Sequence, residues 1–183
     1  MKIENKFLNI RLLPIYLFIF LILLGSFIYK DYGISVDEPQ QREIGKTSLN
    51  FIAHFFQIPS LKDMDDTYVN AESVFEAQRD RDYGVVFELP AEFLVKIWGL
   101  QEENVFYFRH YINYILFCIS VVCFYQLLKN RYQKYSLALL GAFFLVLSPR
   151  IFGDAFYNTK DLAFLSFIVI ASYTLFRYLA MPN

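Results

Sequence analysis

The run Tyr111-Ile112-Asn113-Tyr114-Ile115-Leu116-Phe117-Cys118-Ile119-Ser120-Val121-Val122-Cys123-Phe124-Tyr125-Gln126-Leu127-Leu128 holds no charged residue over 18 positions. As a helix it would extend about 27 Å, close to the ~30 Å hydrocarbon core of a bilayer. The run predicts a transmembrane helix over 111–128, and Lys129, Arg131 and Lys134 follow it with no acid among them. A second uncharged run of 18 residues, from Leu12 to Tyr29, comes after Lys2, Lys6 and Arg11. It predicts a first span over 12–29. Cleavage as a signal peptide is the weaker reading, because Leu23-Leu24-Gly25-Ser26 makes a poor small-x-small site. The apolar run from Tyr135 to Pro149, extended to Phe152 with Arg150 snorkelling, predicts a third span over 135–152. A fourth follows over 162–181, with Arg177 near its end.

Composition agrees with this class. The chain has 183 residues, 56% of them hydrophobic and 20% aromatic, more apolar surface than a soluble domain of this length needs. The expected fold is therefore an all-α integral membrane protein of about four spans, a single membrane domain over 1–183 with a large loop over 30–110. A net charge of −1 conceals segregation: from Lys30 to His110 there are 15 acids against 8 Lys or Arg. That imbalance excludes the basic face a nucleic-acid binder needs. The three basic residues before the first span and the three between the second and third place those ends in the cytoplasm. Both termini are then cytoplasmic, and the acidic loop lies outside a cytoplasmic (inner) membrane.

Within the loop, Ile44, Phe51, Ile52, Phe55 and Phe56 recur at helical spacing with Arg42, Glu43 and Lys46 between them. An amphipathic helix over 38–57 is predicted, lying along the membrane surface or packed on other helices. Residues 62–83 are polar, and Asp63-x-Asp65-Asp66 lacks the glycine and later Glu of a calcium loop. A second short interfacial helix is expected over 91–100, with Trp98 at headgroup depth. Cys118 and Cys123 have neither metal nor redox spacing and read as packing residues, while His54 and His110 show no zinc pattern. An ordinary interfacial role is expected of both histidines, and no metal site is assigned.

Two polar clusters share the outer face. One is Ser35-Val36-Asp37-Glu38-Pro39, directly after the first span; the other holds Asp154, Asn158, Lys160 and Asp161, between the third and fourth. Ser35 and Glu38 have the S-x-x-E spacing of a capping box, Asp37 suits an N-cap and Pro39 a first helical turn. Asp161 likewise suits the cap of the fourth span. Carboxylates at the mouth of a helix bundle are also costly to desolvate, which makes a functional role compatible with a capping one.

The order of these features resembles a family. One span leads into Asp37-Glu38; two amphipathic segments follow; Leu89-Pro90-Ala91-Glu92-Phe93-Leu94 ends in Trp98-Gly99, and Phe108-Arg109 opens the next span. Later come Leu147-Ser148-Pro149 and Asn158-Thr159-Lys160-Asp161-Leu162. Together they resemble the N-terminal part of GT-C membrane glycosyltransferases, such as the protein O-mannosyltransferases, the aminoarabinose lipid A transferases and the bacterial enzymes that add sugars to lipopolysaccharide.

The resemblance implies transfer of a sugar from a polyprenyl-phosphate donor to a hydroxyl of a lipid, glycan or protein acceptor outside the membrane, with inversion. Asp37 would be the general base and Glu38 the neighbour that orients it. Arg109 would meet the donor phosphate through paired charge-assisted bonds. Asp161, with Asn158, would form a second acidic site that holds the acceptor or helps a divalent cation; the cofactor is otherwise unknown. The family often carries a basic residue before a double proline where this chain has Glu88-Leu89-Pro90, so Arg79, Arg81 or Lys96 could take the phosphate instead. Family members are also longer, which implies that this chain is a fragment and inactive alone. The competing class is a non-catalytic membrane scaffold or assembly subunit whose acidic loop recognises a partner.

Overall fold

The computed structural model describes residues 12–61 and 84–180. Among them the chain is all-helical, with seven α-helices, one short 3-10 turn at Pro59–Leu61 and no strand. The helices are α1 (Leu13–Ile28), α2 (Glu38–Phe55), α3 (Glu88–Trp98), α4 (Glu102–Tyr132), α5 (Tyr135–Leu147), α6 (Pro149–Tyr157) and α7 (Asp161–Leu179).

The long helix α4 is the organising element, and α1, α5, α6 and α7 all pack against it. It starts nine residues before the predicted span, at Glu102 rather than Tyr111. The charges at Glu102, Glu103 and Arg109 gave the stretch the look of a loop. Glu102 and Glu103 instead favour the positive end of the helix dipole, and Arg109 is neutralised by acids from α3. The far end is closed by Gln133, in the left-handed region with φ 54°.

Helices α4 and α7 are long and apolar enough to cross a membrane. The α5–α6 pair makes a third candidate span, bent by 64°, and α1 is a shorter apolar helix of 16 residues. The bend falls at Ser148-Pro149, where proline removes a helical N–H and forces the preceding residue out of helical geometry. Ser148 accordingly sits at φ −67°, ψ 111°.

The core lies between α1, α4, α5 and α6, and Leu162 of α7 joins it. Tyr114 of α4 is fully buried, donates its hydroxyl hydrogen to the Leu21 carbonyl at 2.8 Å, and stacks on Phe156 at 4.4 Å between centroids. On the other face of Phe156 lies Tyr32, at 4.1 Å. Gly25 admits the Tyr114 ring, since a Cβ there would stand 1.9 Å from a ring carbon.

Helices α2 and α3 pack together beside this bundle. Gly45 permits their approach, because a Cβ on it would lie 2.8 Å from the Glu88 carbonyl oxygen. The expected amphipathic helix is present in α2, yet its orientation is reversed from a simple apolar-in pattern. Gln41, Arg42 and Asn50 are buried along with Ile44 and Leu49, whereas Phe51, Phe55 and Phe56 are exposed. The inward polar face is tolerated because Arg42 meets carboxylates of α3 and α4. Helix α3 runs from Glu88, slightly earlier than expected, and ends at Gly99 with φ 58°, a position where a side chain would be strained.

Candidate functional site

Asp37 and Glu38 point to different places. Glu38 is buried at 1% exposure, whereas Asp37 is exposed and makes no capping bond with its side chain. Half of the expected capping box forms: the Ser35 N–H donates to Glu38 Oε2 at 2.6 Å. The other Glu38 oxygen lies 2.8 Å from His110 Nε2. Because a carboxylate only accepts, Nε2 is the protonated ring nitrogen in this contact. Helix α2 is thus fixed at its start without using the Asp37 side chain.

The second polar cluster is arranged in a parallel way. The Asp161 N–H donates to the Asn158 side-chain oxygen at 2.8 Å, and the Asn158 amide donates back to Asp161 Oδ2 at 3.3 Å. Asn158, rather than Asp161, therefore supplies the side-chain oxygen that caps the start of α7. The main-chain carbonyl of Asn158 in turn accepts from the Asn113 amide of α4 at 3.3 Å.

These two starts, about 120 residues apart, face each other across one small polar cavity of about 130 Å³. Ser35, Asp37, Glu38 and Gln41 line one side; Tyr157, Asn158, Thr159, Lys160 and Asp161 line the other. Four of the residues expected from the sequence, Asp37, Glu38, Asn158 and Asp161, are brought together here.

A larger groove of about 600 Å³ adjoins this cavity and shares Gln41, Thr159, Lys160 and Asp161 with it. From there it follows α7 past Ala163, Phe164, Phe167, Ile168 and Ala171, with Val86 and Phe87 opposite. Its polar end and its apolar length belong to one continuous surface.

Arg109 is not among the residues that line either cavity. Its guanidinium is fully buried and bound to Glu88 through Nη2 and to Glu92 through Nη1, the latter at 3.2 Å. Glu92 Oε1 is shared with Arg42 Nε at 3.0 Å, and Arg42 grips Glu102 with both terminal nitrogens. Burial raises the Glu92 carboxyl above the usual carboxylate range, against the pull of Arg42 and Arg109. The lattice continues to the cavities through Thr159, which donates to Glu88 Oε1 at 2.6 Å. Arg109 is thus placed behind the site as an internal brace, a correction to the phosphate-facing position expected from the sequence. Lys96 is exposed on α3 and lines neither cavity. Arg79, Arg81 and the Asp63-x-Asp65-Asp66 stretch lie outside the described residues. Among the described residues no three His, Cys, Asp or Glu side chains converge as a metal ion requires.

Gln41 and Thr159 were not anticipated from sequence, although both line the two cavities. Gln41 is four residues after Asp37, one helical turn along the same face, and that spacing was the available signal. His110 was expected to be interfacial; it is fully buried and bound to Glu38.

No family model, curated protein or solved structure matches this chain.

Proposed function

We propose that the chain carries the acceptor-activating site of a lipid-linked glycosyltransferase of GT-C type, moving a sugar from a polyprenyl phosphate to an acceptor hydroxyl. The observation that carries this reading is the junction of the two cavities. A polar cavity with an uncommitted carboxylate opens onto an apolar groove along α7, with Lys160 and Asp161 on the lining of both. In this reading α1, α4, the bent α5–α6 pair and α7 form four spans, with both termini in the cytoplasm and the site on the outer face of the inner membrane.

The prenyl chain lies along α7, which puts the phosphate near Lys160, where an ammonium offsets charge as the phosphate leaves. The acceptor hydroxyl sits against Asp37. Its oxygen forms a bond to the anomeric carbon while the bond from that carbon to the phosphate oxygen breaks, the electron pair departing with polyprenyl phosphate. The hydroxyl proton passes to the Asp37 carboxylate, and attack opposite the leaving group inverts the anomeric centre. Asp161 holds the acceptor from the other wall. Arg109 takes no part in phosphate binding and instead keeps the walls together.

Incubation of membranes containing the intact gene product with undecaprenyl-phosphate glucose, mannose and aminoarabinose tests the reading. Transfer to an endogenous glycan or lipid is expected, and Asp37→Asn should reduce it by roughly 100-fold or more with unchanged membrane insertion. Full transfer by Asp37→Asn sinks the assignment of the base. Asp161→Ala should have a milder effect, chiefly raising the acceptor KM.

A further inference from the structure

We infer that His110 is a positioning residue for Asp37, acting through Glu38; the inference rests on the transferase reading of the site. Three elements meet at this one imidazole. It belongs to α4, its Nε2 donates to Glu38 Oε1 at 2.8 Å, and its Nδ1 lies 3.4 Å from the Tyr29 carbonyl at the end of α1. Both His110 and Glu38 are buried, so water does not compete for the contact. The remaining Glu38 oxygen accepts the Ser35 N–H at 2.6 Å.

Ser35 and Glu38 bracket Asp37, and both of their bonds converge on one carboxylate. The segment between them offers little packing of its own: Val36 is 92% exposed, and Ile34 and Gly33 just before it are exposed as well. The direction in which Asp37 is presented is therefore set by the chain α4–His110–Glu38–Ser35. A side chain on a loop held this way loses less freedom when it engages a hydroxyl, and misplacement by ~1 Å can cost about 100-fold in rate.

Two substitutions separate this role from mere filling of space. In His110→Gln the side-chain amide reaches the position of Nε2 and can still donate to Glu38, whereas His110→Met fills the site without a donor. Amide hydrogen exchange in the purified full chain is read first. His110→Met is expected to speed exchange at Ser35 by about tenfold or more, for loss of a bond to a charged group, while the α4 amides around Tyr114 keep their protection. His110→Gln should exchange as the wild type does. Where His110→Met also loses protection in α4, His110→Asn replaces it, being polar but too short to reach Glu38.

Turnover is read second, with the undecaprenyl-phosphate sugars named above. The Met variant should lose roughly 100-fold in kcat with donor KM little changed, and Gln should restore most of it. Ser35 exchange that is the same in all variants overturns the inference, as does wild-type kcat in a Met variant whose Ser35 exchange is fast. A wild-type chain that shows the exchange contrast but transfers no sugar overturns the transferase reading and leaves the brace in place.

Discussion

Thr159 donates its hydroxyl hydrogen to Glu88 at 2.6 Å, tying the turn before α7 to the first residue of α3. The contact links the wall of both cavities to the buried lattice of Arg109, Glu92 and Arg42.

Thr159→Val removes that hydroxyl without changing the volume much. Glu88 keeps Arg109 but loses a buried donor, a loss of about 1–3 kcal/mol. A lower midpoint of thermal unfolding in detergent is expected, whereas Thr159→Ser should stay near wild type. Equal midpoints for the Val and Ser variants would remove Thr159 from the lattice.

Arg109→Met should be among the most damaging changes in the chain. It takes the guanidinium from buried Glu88, leaving it the Thr159 hydroxyl, and leaves Glu92 to Arg42, a penalty of about 3–5 kcal/mol. The signature is loss of folded protein rather than a selective rise in donor KM. Adding Glu88→Gln to Arg109→Met should recover part of the loss. A well-folded Arg109→Met variant with weakened donor binding alone would return Arg109 to the role of phosphate ligand.

Gly45→Ala tests the closeness of α2 and α3. The new methyl would meet the Glu88 carbonyl oxygen at 2.8 Å and Glu92 Cγ at 3.0 Å, and a backbone oxygen does not swing aside as the end of a flexible side chain does. Overpacking of this kind costs about 1–3 kcal/mol. Gly33→Ala, which meets nothing within 4 Å, is the control and should change stability by no more than about 0.5 kcal/mol. Thermal unfolding of the pair gives the comparison.

Ala171→Trp addresses the groove. Ala171 is exposed and lines its far end, so the larger ring should leave the fold intact while shortening the space for a chain. Excluding about two methylenes of ligand corresponds to roughly a tenfold rise in donor KM. A donor with a shortened prenyl chain should be unaffected. Equal KM changes for the long and short donors would remove the groove from donor binding.

Much of this arrangement was visible in local chemistry. Ser35-x-x-Glu38-Pro39 announced the start of α2 and Gly99 the end of α3, each through backbone geometry that a few adjacent residues dictate, whereas the single span expected over 135–152 is broken at Ser148-Pro149 into α5 and α6. The meeting of Asp37 with Asp161 was anticipated only as two clusters on one face. What local reading missed were bonds between distant partners. Glu102 and Arg109 have the polarity of loop residues until Arg42, Glu88 and Glu92 arrive from other helices to neutralise them. His110 stood beside an apolar run with nothing nearby to identify its partner 72 positions away. The inward polar face of α2 was hidden for the same reason: spacing records which residues share a side, and only packing decides which side turns inward.

The length of α4 makes it a measuring rod. Its 31 residues extend about 46 Å, some three turns more than a hydrocarbon core of ~30 Å requires of a helix that crosses it. His110 stands 22 residues before Tyr132, about 33 Å along the rod. The height of Glu38 along α4, and with it that of Asp37, is thereby set by the contact with His110. Removing one residue between Phe117 and Leu128 would lower that level by about 1.5 Å and rotate Arg109 and His110 by about 100° away from their partners. The apolar stretch of α4 therefore carries a constraint on length that no individual side chain in it reveals.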